Sequence, residues 1–98
     1  MTTNKIRTFV AFRPDLAARG THTSDQMNPP DAPQFEGVVF SDGHCVLRWC
    51  TAKKSTSTWN SLSDMLDIHG HSEYGTYLVW DDGTVQNYVG NGKFEPRQ

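Results

Sequence analysis

Four histidines are the residues of this sequence that most readily suggest metal chemistry. His69 and His71 are separated by one residue, while His22 and His44 lie elsewhere in the chain. Imidazole suits zinc, nickel and copper, but structural zinc ligands usually come as Cys-x2-4-Cys or His-x3-5-His pairs. The spacing here does not match, so we expect no metal and no other cofactor. We consider three interpretations of the function. A metal-dependent enzyme that uses His44, His69, His71 or Asp81 ranks third among them.

The other polar residues favour turns and connections over catalysis. Two acidic pairs occur, Asp81 with Asp82 and Asp64 with Asp67. Glycoside hydrolysis needs two carboxylates about 5 to 9 Å apart around a cleft, and a hairpin turn offers no cleft. The segment 51–58 is rich in Ser and Thr, but none of them lies in a G-x-S-x-G elbow. We therefore expect a protein that is not an enzyme.

Length and charge narrow the class of protein. The chain has 98 residues, of which 20% are charged, and a formal net charge of -2. This size supports one hydrophobic core, so we expect a single domain over residues 1–98. Since there is no basic excess, bulk charge argues mildly against nucleic-acid binding. No stretch is apolar over the length of a signal peptide or a membrane span, so we predict a cytoplasmic protein without a membrane partner.

The two cysteines agree with that location. Cys45 and Cys50 lie five residues apart on one predicted strand. At about 3.3 Å per residue they are roughly 16 Å apart and point to opposite faces, which is too far for a disulfide. We expect two reduced thiols, whereas a small secreted domain usually carries several cysteine pairs.

Two Asp-Gly pairs give the strongest signal for local structure. Asp42-Gly43 and Asp82-Gly83 each lie between short runs of apolar residues. Asp-Gly favours a two-residue type I′ turn, because glycine adopts a positive φ freely and aspartate tolerates one. The sequence therefore predicts one β-hairpin at each pair.

Two-residue turns fix which residues face each other. They place Val38 opposite Leu47 in the first hairpin, and Tyr77 opposite Tyr88, on an exposed face, in the second. Both faces of the first hairpin carry apolar residues. We therefore expect this hairpin to be central, covered at least partly on both sides, or extended by a partner.

Periodicity predicts the remaining elements. Alternation from Lys5 to Phe12 predicts a first strand, and apolar spacing within Trp59 to His69 predicts one amphipathic helix that ends at Gly70. The predicted fold class is α+β, a mainly antiparallel sheet of about five strands packed against one α-helix. The five strands are the two hairpins and the N-terminal strand.

Three segments show no such pattern. Residues 13–34 hold four of the five prolines in a long connection. Connections of this length are usually binding loops or disordered segments. We read residues 51–58 as a polar connection into the helix, and residues 90–98 as a loose C-terminal tail.

Aromatic and basic residues support our second interpretation, a nucleic-acid-binding protein that uses a sheet face. Sheet-based single-strand binders stack bases on such side chains. The candidates are Arg7, Arg48, Trp49, Lys53, Lys54, Tyr77, Trp80 and Tyr88. The sequence lacks an RNP-type stretch, and a small protein–protein patch uses the same residue types. A homodimer through the open edges of the sheet is a further option.

Several short elements occur together in a known group of proteins. They are Phe40-Ser41-Asp42-Gly43, Leu47-Arg48-Trp49, Ser55-Thr56, Ser61-Leu62 and Ile68-His69-Gly70-His71, followed by Val79-Trp80. Through them, over roughly residues 35 to 81, the chain resembles small uncharacterised accessory proteins of actinobacterial phages. The resemblance implies expression inside a bacterial host and an accessory role, but it carries no site residues with it.

Our first interpretation is a small, non-enzymatic, phage-type accessory protein that binds a host or phage protein in the bacterial cytoplasm. A small domain without a cleft acts mainly through its surface. As candidate protein contacts we name Arg13, Arg48, His69 and His71, together with the 13–34 loop.

Overall fold

The computed structural model describes residues 5–16 and 27–97, which hold seven strands and one α-helix. The strands are β1 (Arg7–Phe12), β2 (Phe35–Val39), β3 (Cys45–Trp49), β4 (Thr56–Trp59), β5 (Tyr77–Trp80), β6 (Val85–Gly90) and β7 (Lys93–Pro96). The helix α1 spans Leu62–His69, and a 3₁₀ turn follows at Ser72–Tyr74. None of the helices in this part of the chain is long and apolar enough to cross a membrane.

One antiparallel sheet contains all seven strands, in the order β4-β3-β2-β1-β5-β6-β7. The predicted N-terminal strand, β1, lies at its centre and joins the two predicted hairpins, with Val10 opposite Glu36 on one side and Val79 on the other. Because side chains alternate along a strand, Phe9 and Ala11 point to one face of the sheet and Val10 to the other.

The prediction of five strands is wrong, because two further segments pair at the outer edges of the sheet. The polar connection 51–58 contains most of β4, in which the β-branched Thr56 and Thr58 favour an extended backbone. The tail beyond residue 90 contains β7, which follows a two-residue turn. In that turn Asn91 and Gly92 have φ of 56° and 71°, as a type I′ turn requires.

Both Asp-Gly hairpins are present, but each loop has three residues instead of two. In the first, Phe40 N donates to His44 O at 2.8 Å and Gly43 N donates to Phe40 O at 2.9 Å. Gly43 has a φ of 96°, and Gly83 in the second hairpin has a φ of 89°. Three-residue hairpins commonly end in such a left-handed glycine. The aspartate stabilises each loop, since Asp42 Oδ1 accepts from His44 N at 3.0 Å and Asp82 Oδ1 accepts from Thr84 N at 2.9 Å.

The longer loops shift the pairing by one residue from the predicted register. Val38 lies opposite Val46 instead of Leu47, and Tyr77 lies opposite Asn87 instead of Tyr88. A shift of one residue changes which side chains share a face. Tyr88 is therefore only 5% exposed, and the prediction that it joins Tyr77 on an exposed face is wrong.

The helix α1 packs over one face of the sheet and closes the core. Ser61 Oγ accepts from Asp64 N at 3.0 Å and caps the start of the helix, while Gly70 N donates to Leu66 O at its end. The core cluster between the helix and the sheet contains Phe9, Ala11, Phe35, Cys45, Leu47, Met65, Leu66, Leu78, Trp80 and Tyr88. We call this side of the sheet the covered face.

The described end of the 13–34 loop is tied to the sheet. Asn28 N donates to Gln34 Oε1 at 3.0 Å, and Gln34 Nε2 donates to Asn28 O at 2.7 Å. Asn28 Nδ2 also donates to Cys50 O at 3.0 Å. Residues 17–26 of the loop lie outside the described residues. Residues 27–34 are therefore held against the end of β3 by side-chain amides.

Candidate protein-binding face

The sheet has a second face, opposite α1, which no described helix or strand packs against. We call it the open face. Its central side chains are Thr8, Val10, Glu36, Val38, Val46, Arg48, Val79 and Val85, placed there by the alternation of β1, β2, β3, β5 and β6. Its five valines are all partly exposed, in contrast to the fully buried residues of the covered face.

The register arranges these side chains in two adjacent rows. Arg48, Glu36, Val10, Val79 and Val85 are successive cross-strand partners from β3 to β6. In the neighbouring row, Val46, Val38 and Thr8 are partners from β3 to β1. Cross-strand partners on one face lie in contact distance, so Val10, Val79 and Val85 form one apolar group and Val38 and Val46 form another. The two groups meet diagonally beside Glu36 and Thr8.

This surface is concave and forms a depression of about 580 Å³. Four of the valines line it: Val10, Val38, Val46 and Val79. The polar side chains that also line it are Thr8, Glu36, Arg48, Thr56 and Asp81. We call it the valine depression. An apolar centre with a polar boundary is the usual anatomy of a protein interface.

The polar boundary of the depression holds more negative than positive charge. Arg48 lies opposite Glu36 in the register, and its Nη1 donates to Thr56 Oγ1 at 2.9 Å. Asp81 Oδ2 accepts from Thr8 N at 2.9 Å. The Asp81 carboxylate therefore lies next to Thr8, at the β1 end of the row that begins with Val46. One guanidinium against two carboxylates makes this surface a poor match for a phosphate backbone.

An aromatic stack extends the open face beyond the depression. The rings of Phe12 and Tyr77 are stacked with centroids 5.1 Å apart. The Arg97 guanidinium lies 3.8 Å from the centroid of the Tyr77 ring, and its Nη1 donates to Asn87 Oδ1 at 2.8 Å. Protein partners commonly contact aromatic and arginine side chains arranged in this way.

The residues named for a nucleic-acid face do not share one surface. Arg48 and Tyr77 lie on the open face, whereas Trp49, Trp80 and Tyr88 belong to the covered face and its borders. Arg7 lies over the Trp80 ring, with its guanidinium carbon 3.9 Å from the ring centroid. The sheet therefore divides the named rings and cations between its two faces.

Arg13, one of the four predicted protein contacts, is almost completely buried, with 3% of its surface exposed. Its guanidinium carbon lies 5.2, 5.3 and 5.4 Å from the ring centroids of Phe35, Trp49 and Tyr74. We call these three rings the aromatic cage. Arg13 Nη2 donates to the carbonyl oxygen of His69, which satisfies a free acceptor at the C-terminus of α1. Burial lowers the pKa of Arg13 to about 10.

His69 lies beside the cage, and His71 lies outside it. The His69 ring packs edge-on between Trp49 and Trp59, with centroid distances of 5.4 and 5.5 Å. Burial, with the nearby Arg13 charge, lowers the pKa of His69. His71 is exposed, stacks on Tyr74 at 4.9 Å and has a φ of 43°. Arg13, His69 and His71 are thus neighbours, while Arg48 lies on the opposite side of the sheet.

Within residues 5–16 and 27–97, no three His, Cys, Asp or Glu side chains lie close enough together to hold a metal ion. His44 is paired with Asp42 in the first hairpin loop, where His44 Nδ1 is 3.1 Å from Asp42 Oδ2. His71 Nδ1 lies 3.5 Å from Glu73 Oε2. His22 falls outside the described residues.

The valine depression was not named as a site from the sequence. The sequence nevertheless contained a signal for this site, because the first hairpin carries apolar residues on both faces and the periodicity predicts a single amphipathic helix to cover them. Of the four predicted contact residues, all of them described, only Arg48 lines the depression.

A family model described as Acb5 phage protein matches residues 35–85, just over half of the chain. The matched interval runs from β2 to the first residue of β6 and includes α1. No curated protein and no solved structure matches the chain.

Proposed function

The chain belongs to the Acb5 phage protein family, and we propose that it is a non-enzymatic accessory protein that binds a host or phage protein through its open face. The family match supports the resemblance to phage accessory proteins. An origin in an actinobacterial phage and a location in the host cytoplasm are parts of this proposal.

The valine depression is the observation that carries the proposal. Val10, Val38, Val46 and Val79 belong to four central strands, and no described element covers them. Apolar groups gain about 25 cal/mol for each Å² that they remove from water. An apolar depression at the centre of a sheet therefore favours contact with another protein, and exposed apolar patches commonly mark interaction sites.

Charge favours a protein over a nucleic acid as the partner. Glu36 and Asp81 line the depression together with one cation, Arg48. A nucleic acid would bring phosphates to a surface with a net negative charge, which costs affinity. A protein partner can place a cation near Glu36 or Asp81 and an acceptor near Arg48.

Affinity purification of the tagged full-length chain from phage-infected host cells tests the proposal. Val46→Lys places a charge inside the depression, whereas Val89→Lys places the same charge at an exposed position outside it. We expect Val89→Lys to retain the partner of the wild-type chain and Val46→Lys to lose it. Equal melting temperatures of the two variants exclude unfolding as the reason.

Two results would overturn the proposal. One is recovery of the same partner, in equal yield, by Val46→Lys and the wild-type chain. The other is binding to single-stranded DNA or RNA with an affinity that falls steeply between two salt concentrations, which would favour the nucleic-acid interpretation.

A further inference from the structure

The two edge strands of the sheet differ in how well they prevent a further strand from pairing with them. The edge strand β7 carries Lys93, Glu95 and Pro96, and charged residues and proline are the usual means of preventing a further strand from pairing. The other edge strand, β4, has the sequence Thr-Ser-Thr-Trp and contains neither a charge nor a proline. The edge at β4 is therefore open to strand addition.

The backbone of β4 presents hydrogen-bonding groups outward. Trp49 N donates to Ser55 O at 2.9 Å, so the backbone of Ser55 faces β3. In an antiparallel pair this orientation alternates. The N–H and C=O groups of Thr56 and Thr58 therefore point away from the sheet, where no described strand meets them.

A groove runs beside this edge, between β4 and α1. It has a volume of about 410 Å³ and is lined by Thr58, Trp59, Asn60, Asp64, Asp67 and Ile68. Ile68 is 56% exposed and Trp59 is partly exposed, so the groove has an apolar part. Asp64 and Asp67 are exposed, and neither forms an ion pair within residues 5–16 and 27–97.

We propose that β4 accepts an extended segment of a partner protein as an eighth strand, with an aliphatic and a basic side chain two residues apart on the side that faces α1. Residues two apart in a strand share a face. The aliphatic side chain would contact Trp59 and Ile68, while the Lys or Arg would lie near Asp64 and Asp67. Main-chain hydrogen bonds to Thr56 and Thr58 would supply the pairing.

Charge also argues against a second copy of this chain as the added strand. Symmetric pairing of β4 with β4 would place α1 of both copies on the same side of the continuous sheet. Asp64 and Asp67 of one copy would then face the same two carboxylates of the other, and like charges across an interface cost affinity. A basic segment of a different protein avoids this repulsion.

Peptide titration of the full-length chain tests the inference. The probe is an acetylated, amidated Val-Thr-Lys-Thr-Val-Thr-Lys peptide, and the control has Glu in place of both Lys. A third peptide is N-methylated at alternate residues and cannot form the main-chain pairs. At low ionic strength, we expect measurable binding of the Lys peptide only, detected by NMR chemical-shift changes in β4 and α1.

Variants of the protein locate the site. Thr58→Pro removes an outward N–H without removing a bond to β3, and we expect it to abolish binding. Asp64→Asn combined with Asp67→Asn should weaken binding about fivefold, since exposed ion pairs contribute modestly to affinity. Asp31→Asn, which removes an exposed carboxylate elsewhere, should leave it unchanged. If Thr58→Pro does not fold, the comparison of the Asp64→Asn, Asp67→Asn double variant with Asp31→Asn tests the site instead.

Equal binding of the Lys and Glu peptides would overturn the inference, as would the absence of any shift in β4. A dimer of the chain that Thr58→Pro dissociates would also overturn it, in favour of a second copy. Thr56 of β4 also lines the valine depression, so the two surfaces adjoin there. Val79 lies four strands away from β4, so Val79→Lys should bind the Lys peptide normally.

Discussion

The two faces of the sheet come from the same strands, yet one is covered and the other is open. On the covered face, Phe9, Leu47 and Leu78 lie at or near zero exposure beneath α1. On the open face, their neighbours Val46 and Val79 remain partly exposed. Folding alone explains the apolar residues of the covered face. The apolar residues of the open face exceed what the fold buries, and we attribute them to binding.

Substitution of adjacent residues on β3 gives the largest expected contrast between the faces. Leu47→Ala should lower the free energy of unfolding by about 2 to 5 kcal/mol, because it leaves a cavity in the core. Val46→Ala, which shortens a partly exposed side chain, should lower it by less than about 1.5 kcal/mol. Urea denaturation measures both values. Equal losses would mean that the open face is as important for folding as the covered face.

A glycine on β2 tests how tightly the covered face is packed. A Cβ at Gly37 would overlap the ring of Phe9 and approach the carbonyl oxygen of Val46. Gly37→Ala should therefore destabilise the protein by about 1 to 3 kcal/mol. The neighbouring Glu36→Ala, on the open face, should change stability by less than about 0.5 kcal/mol. A Gly37→Ala variant as stable as Glu36→Ala would show that Phe9 moves without cost.

The pH dependence of stability should report the burial of His69. Because burial holds its pKa below the ordinary value of about 6.5, the unfolded chain binds a proton more readily than the folded chain. The free energy of unfolding should then decrease as pH falls from about 7 to 5. His69→Gln should make this decrease smaller, as measured by urea denaturation at each pH. Identical pH profiles for the two proteins would contradict the burial of His69 between Trp49 and Trp59.

The reactivity of the two cysteines compares the covered face with its border in the unchanged protein, and it should give the smallest effect. Cys45 is fully buried on the covered face, and burial raises its pKa to about 11. Cys50 is partly exposed after the end of β3. A thiol reagent at pH 8 should modify Cys50 first and Cys45 only on the timescale of unfolding, which mass spectrometry of the digested protein can follow. Rapid modification of both thiols would show that the covered face opens readily.

Sequence patterns predicted the elements of the fold better than their pairing. Asp42-Gly43 and Asp82-Gly83 correctly located two hairpins. Their loop lengths were wrong, because Asp-Gly fits both two-residue and three-residue turns. The strand register of both hairpins therefore could not be predicted from the Asp-Gly pairs alone, because it also depends on how the strands pack.

The two missed strands have different explanations. Asn91-Gly92 is a recognised hairpin signal, but the segment after it, β7, is short and mostly polar. In β4 the Thr and Ser residues also suggest a polar connection, and only pairing with β3 makes the segment a strand. Edge strands need little apolar content because one side meets water, so periodicity detects them poorly.

The candidate site was less predictable than the fold. The resemblance to phage proteins, stated for roughly residues 35 to 81, is confirmed by a phage-protein family match over residues 35–85, whereas the actinobacterial origin stays a prediction. The valine depression arises from four strands that are distant in sequence, so no local motif marks it. Arg13, His69 and His71 stay predicted contacts, although the burial of Arg13 gives it a clear structural role at the end of α1.

The central claim is that the open face binds a protein, and the affinity of the recovered partner tests it most directly. Isothermal titration calorimetry would compare the wild-type chain, Val38→Ala combined with Val79→Ala, and Val89→Ala. We predict that the double variant binds at least about tenfold more weakly, because it removes two apolar side chains from the interface, and that Val89→Ala binds normally. Equal affinities of all three proteins would contradict the claim.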